Sequence, residues 1–82
     1  MTEDTLAVIL RDRYDQAKRN QTILLIDLFG IQYGEMIKKD GLSIKEIVRR
    51  SEIGDSYITE VTKAVKLSEY VSLKGDEGNA KD

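Results

Sequence analysis

From Leu42 to Tyr70 the chain reads LSIKEIVRRSEIGDSYITEVTKAVKLSEY, two short runs of apolar residues three and four apart with a polar turn between them. Ile44, Ile47 and Val48 make the inner face of the first run, with Lys45, Glu46 and Arg49 turned to water. Ile58, Val61 and Val65 make the inner face of the second. Two helices of about eight and eleven residues, a few residues apart, have the spacing of a helix-turn-helix.

Upstream, Leu6, Ile9, Leu10, Tyr14 and Ala17 predict a helix from about Thr5 to Lys18, with Asp12, Asp15 and Lys18 outward. Val8 lies off that stripe and hints at a second, smaller contact. Arg19-Asn20-Gln21 is a polar break. A second helix from about Gln21 to Lys39 carries the stripe Leu25, Leu28, Phe29, Tyr33 and Met36. Ile23, Leu24, Ile26, Ile31 and Ile37 spread apolar surface around the rest of it. A helix apolar nearly all round is buried on several sides. So short a chain has few elements with which to cover it, and a homodimer is the economical solution. Leu25, Leu28, Phe29, Ile31 and Tyr33 are the expected core and dimer contacts. Gly30 and Gly34 share one face of this helix, and their spacing fits either close packing of another helix or a kink.

The boundaries carry their own signals. Asp40-Gly41 is a turn, and Ser43-x-x-Glu46 is a capping box in which each side chain satisfies the other residue's amide. Gly54 or Asp55 opens the fourth helix, expected over 55–66, with Ile53 and Ile58 placed for a hydrophobic staple. Leu67, Tyr70, Val71 and Leu73 continue as an apolar run, a last helical turn or a short strand. The stretch 70–74 followed by the turn-like 75–79 suggests a vestigial wing, or a segment folded back on the core, which is the favoured expectation. The domain is expected over 1–74, with 75–82 a disordered polar tail. The resulting fold class is all-α: four helices, the last two a helix-turn-helix.

Composition removes several functions. The 82 residues include no cysteine, histidine, proline or tryptophan. Disulfides, thiolate metal sites and the commonest general base are therefore excluded, and no EF-hand spacing is present, so neither metal nor cofactor is expected. No nucleophile–base pair or glycine-rich phosphate loop is visible, so an enzyme is not expected. Met1 is followed by Thr2, Glu3 and Asp4 rather than a basic region, and residues 23–26 are too short to span a bilayer; the expected location is cytoplasmic, away from membranes.

The formal charge is −2 and the sequence pI about 5.1, which argues against a general polyanion binder. From Ser43 to Lys66 the balance turns to +1. At 100° per residue, Ser56, Thr59, Glu60, Lys63 and Lys66 share the outward face of the fourth helix, with Tyr57 near its start. Ser and Thr can bond base edges, and Lys reaches guanine or phosphate. Lys45, Arg49 and Arg50 suit phosphate contacts from the bracing helix. Glu60 is the awkward member, because a carboxylate there repels phosphates.

The segment SIKEIVRRSEIGDSYITEVTKAV resembles the helix-turn-helix of small bacterial and phage regulators, with Ile47, Val48, Ile53 and Ile58 at the family's apolar positions. Val48 stands where alanine is usual, and Glu52 where a turn glycine is common. The stretches 28–34, 56–61 and 68–71 are similar to short chains described only as helix-turn-helix-like. The resemblance implies double-stranded DNA as partner and a regulatory role. The rival is a non-catalytic protein-interaction module that reuses the fold, favoured by the acidic balance and the apolar second helix.

Overall fold

The computed structural model describes residues 1–71, and they form four α-helices with no strand among them. Helix α1 spans Glu3–Gln16. It begins earlier than the apolar stripe suggests, because Thr2 caps it: the Thr2 hydroxyl accepts from the Thr5 amide at 3.1 Å. Glu3 and Asp4 in its first turn complement the helix dipole. It ends before Lys18, since Ala17 is already extended.

Helix α2, Thr22–Lys39, runs unbroken through both glycines. Its buried positions are Ile26, Phe29, Gly30, Gly34 and Ile37. The expected stripe is thus rotated by about one residue: of its members only Phe29 is fully buried, and Leu25, Leu28, Tyr33 and Met36 are half-buried. The glycines explain the rotation. A Cβ on Gly30 would meet the Ala64 Cβ and stand 3.2 Å from backbone atoms of Ala64 and Val65; one on Gly34 would meet Ser68. Close packing is therefore what the Gly30/Gly34 spacing serves.

Helix α3, Ile44–Ser51, is half of the expected capping box. Ser43 Oγ accepts from the Glu46 amide at 3.2 Å. The reciprocal bond is not made by Glu46, whose carboxylate pairs with Arg50. Glu3 of α1 makes it instead, accepting from the Ser43 amide at 2.6 Å. The cap is tertiary and ties α1 to α3.

Helix α3 stops at Glu52, held left-handed at φ 63°. Gly54 turns the chain (φ 118°), and a single 3₁₀ turn, Asp55–Tyr57, leads into α4, Ile58–Leu67. The fourth helix is thus α-helical only from Ile58. Ile53 is buried and Ile58 packs on the same core. Residues 68–70 continue as a turn, with Tyr70 and Val71 amides both bonded to the Leu67 carbonyl. Tyr70 is 81% exposed and Val71 46%, so this end does not fold back on the core. Residues 72–74, with the rest of the suggested wing, and the expected 75–82 tail lie outside the described residues.

Two packing relationships hold these elements together: α2 on α4, the most extensive, and α1 on α3. Successive contacts pair Gly30 with Ala64, Gly34 with Ser68 and Lys38 with Glu69, so α2 and α4 run side by side in the same direction. The shared core is Leu6, Leu10, Ile26, Phe29, Ile37, Ile47, Val48, Ile53, Val61 and Val65. Val8 is 69% exposed; it borders a shallow groove between α1 and α3, with Arg11, Arg50 and Glu52.

Candidate nucleic-acid interface

Because Val61, Ala64 and Val65 are buried, the opposite side of α4 is left to solvent. Thr59, Thr62, Lys63 and Lys66 are all exposed there, Ser56 is exposed in the 3₁₀ turn just before it, and Tyr70 follows at the next turn. Thr62 and Tyr70 were missing from the expected face, although their spacing from Thr59, Lys63 and Lys66 was the available signal. The Thr62 hydroxyl is occupied in part, donating to the Ile58 carbonyl at 2.8 Å.

Tyr57 is not in this group. It is half-buried with its ring edge-on to Tyr14, centroids 5.7 Å apart, and burial raises its phenol pKa. Its neighbour Asp55 forms a 3.6 Å ion pair with Arg49.

Glu60 also turns away from the outward face. Its side chain is 18% exposed and points into the α2–α4 seam at Asp27. Asp27 Oδ1 and Glu60 Oε2 are both buried, and neither receives a hydrogen bond of good geometry. Lys63 Nζ lies 2.9 Å from Glu60 Oε2. Burial first, then the hydrogen bond and charge of Glu60, raise the Asp27 pKa from 3.8 to about 6. The bond to Asp27, reinforced by Lys63, lowers that of Glu60. Two facing acids in a seam of this kind favour holding one proton between them over carrying two adjacent charges.

The basic residues of α3 divide. Lys45 is exposed and, like Lys66, carries no ion pair among the described residues. Arg49 is half-exposed beside Asp55. Arg50 is tied to α1: it reaches Asp4 at 3.0 Å, Glu46 at 3.2 Å and Glu3 at 3.6 Å, and the Asp4 bond leads in raising its pKa. Arg11 closes the C-terminal end of α3, donating to the Glu52 carbonyl at 3.2 Å.

Among the expected core and dimer residues, Phe29 is fully buried, with the Tyr33 ring 5.3 Å away. Leu25, Leu28 and Ile31 are half-buried, beside Ile23 and Leu24, which are 48% and 53% exposed. Among the described residues, no group of acids is placed to hold a metal ion, and no helix is long and apolar enough to cross a membrane.

A short capped helix, a turn with two left-handed residues, and a helix with one face in the core and one in solvent define a helix-turn-helix domain. The comparison with protein families agrees: the family described as "HTH-like domain" matches residues 2–74, and the chain belongs to that family. No curated protein and no solved structure matches it.

Proposed function

We propose that this protein is a sequence-specific, non-catalytic DNA-binding regulator that presents α4 to the major groove. The observation that carries the reading is the composition of the outward face: Ser56, Thr59, Thr62, Lys63 and Lys66 are exposed together, while Glu60 is withdrawn into the seam. Hydroxyls and lysines can bond base edges and phosphates, and the carboxylate that would oppose them faces α2. Lys45 and Arg49 add phosphate contacts from α3. Arg50, engaged by three carboxylates, contributes less than its sequence position suggests.

The regulator acts as a homodimer. Ile23, Leu24, Leu28 and Ile31 leave an apolar strip on α2, and a two-fold contact between such strips sets two α4 helices against successive major grooves about 34 Å apart. The same strip supports a second reading, a protein-interaction module that binds another chain there. Selection of duplexes from a random pool, with light scattering of the protein alone, separates them. The regulator enriches a two-part motif and has twice the monomer mass; the module enriches no motif.

A further inference from the structure

The seam between α2 and α4 meets the outward face at Lys63. Its ammonium is at once the cation nearest the buried acids and, at 59% exposure, a member of the exposed face. We infer that Asp27 is a positioning residue for that face: a proton held between Asp27 and Glu60 leaves the charge of Lys63 available to phosphate, and loss of that proton commits Lys63 to the seam. This rests on the DNA reading of α4.

With one shared proton, Asp27, Glu60 and Lys63 sum to zero, and the lysine answers a single carboxylate. Without it, the same lysine faces two carboxylates and the cluster carries −1 beside the phosphate-binding face. Among the described residues, no other cation is placed to compensate. From α4 only Glu60 and Lys63 act on Asp27. On α2 itself, residues 22–31 contain no other charge. From α1, Arg13 is held farther along α2, bonded to Gln32 at 3.0 Å and lying over Tyr33. The Tyr14 and Tyr57 rings pack edge-on against each other, centroids 5.7 Å apart. Asp27 Oδ1, buried without a donor, is what an ionised Asp27 would leave unsatisfied.

The chain has no histidine, and Asp27, raised to about 6, changes charge between about pH 5 and 7.5. The test follows the binding of the full chain to mixed-sequence duplex DNA by fluorescence anisotropy at those two pH values and constant salt. Carbon-detected NMR follows the Asp27 carboxyl and the Lys63 side chain in the free protein. Wild type is expected to lose affinity about fivefold as the pH rises, the effect of one added charge close to the bound phosphates. Asp27→Asn, an uncharged isostere, should bind at both pH values about as wild type does at the lower one, and the Lys63 resonances of wild type should move at the Asp27 midpoint. Identical pH profiles for wild type and Asp27→Asn, or Lys63 resonances that stay flat through the Asp27 titration, overturn the inference. Should Asp27→Asn fail to fold, Glu60→Gln takes its place: the midpoint should fall, and an unmoved midpoint overturns the inference. If wild type binds DNA at neither pH, the DNA reading of α4 is lost, and the Lys63 resonances alone decide the coupling.

Discussion

Gly30 of α2 lies directly against Ala64 of α4, so close that a side chain on the glycine would overlap the alanine Cβ. The two helices approach through small residues, and Gly34 against Ser68 repeats the arrangement one turn later. This contact fixes where α4 sits and therefore which of its residues remain outside.

Gly30→Ala tests it. In an isolated helix the change would add about 1 kcal/mol of helix stability. Here the new methyl also meets backbone atoms of Ala64 and Val65, which cannot swing aside. Overpacking of this kind costs about 1–3 kcal/mol. Urea unfolding should show a net loss of up to about 2 kcal/mol, partly restored by Ala64→Gly in the same chain. An increase in stability would mean that the helices do not approach as described.

Much of this was legible beforehand. The four helices, the Ser43 cap, the turn at Gly54 and the core positions Ile47, Val48, Ile53, Val61 and Val65 follow from local periodicity and turn chemistry. The rotation of the α2 stripe toward Ile26 and Ile37 did not, because Gly30 and Gly34 reveal only a capacity for close approach and α4 supplies the partner. Glu60 was assigned to the outward face by helical angle alone. Its attraction to Asp27, thirty-three positions earlier in the chain, is a tertiary event without a local signature. The capture of Arg50 by Glu3 and Asp4 was hidden for the same reason.

Glu3 is expected to matter more to α3 than Glu46 does, despite the capping-box spacing. Glu3 accepts from the Ser43 amide across two helices, whereas Glu46 is engaged with Arg50 on the surface. Glu3→Ala should cost about 1 kcal/mol, as loss of a cap does. Glu46→Ala should cost about 0.5 kcal/mol or less, the scale of an exposed ion pair within a helix. Thermal melts of the two variants decide it, and the reverse ranking would return the reciprocal cap to Glu46.

Glu52 holds a left-handed conformation without being glycine, which costs roughly 1 kcal/mol through its Cβ. The Arg11 bond that closes this end of α3 goes to the Glu52 carbonyl, not the side chain, so Glu52→Gly keeps it. The variant should gain about 0.5–1 kcal/mol and melt a few degrees higher. An unchanged or lower melting temperature would contradict the assigned backbone.

The contribution of this pair to stability should peak near pH 4. Asp27 is raised from 3.8 to about 6 in the folded chain, so its contribution is complete below the unfolded value and is lost as pH rises through about 6. Glu60 is lowered from 4.5, so its contribution is present above that value and is lost as pH falls. Asp27→Asn should therefore be roughly neutral near pH 4.5 and stabilising by about 1–2 kcal/mol near pH 7.5. Wild-type stability that climbs steadily between about pH 5 and 7 would reject the shared proton.

In the proposed DNA complex, the outward face of α4 engages phosphates and bases. The most direct test of that engagement is the salt dependence of duplex binding by wild type, Lys63→Ala and Lys66→Ala, read by fluorescence anisotropy. Wild type should weaken linearly on logarithmic axes as salt rises, and each variant should weaken overall binding and reduce the slope by roughly one. Absence of binding at about 50 mM salt, or variant slopes equal to that of wild type, would contradict it.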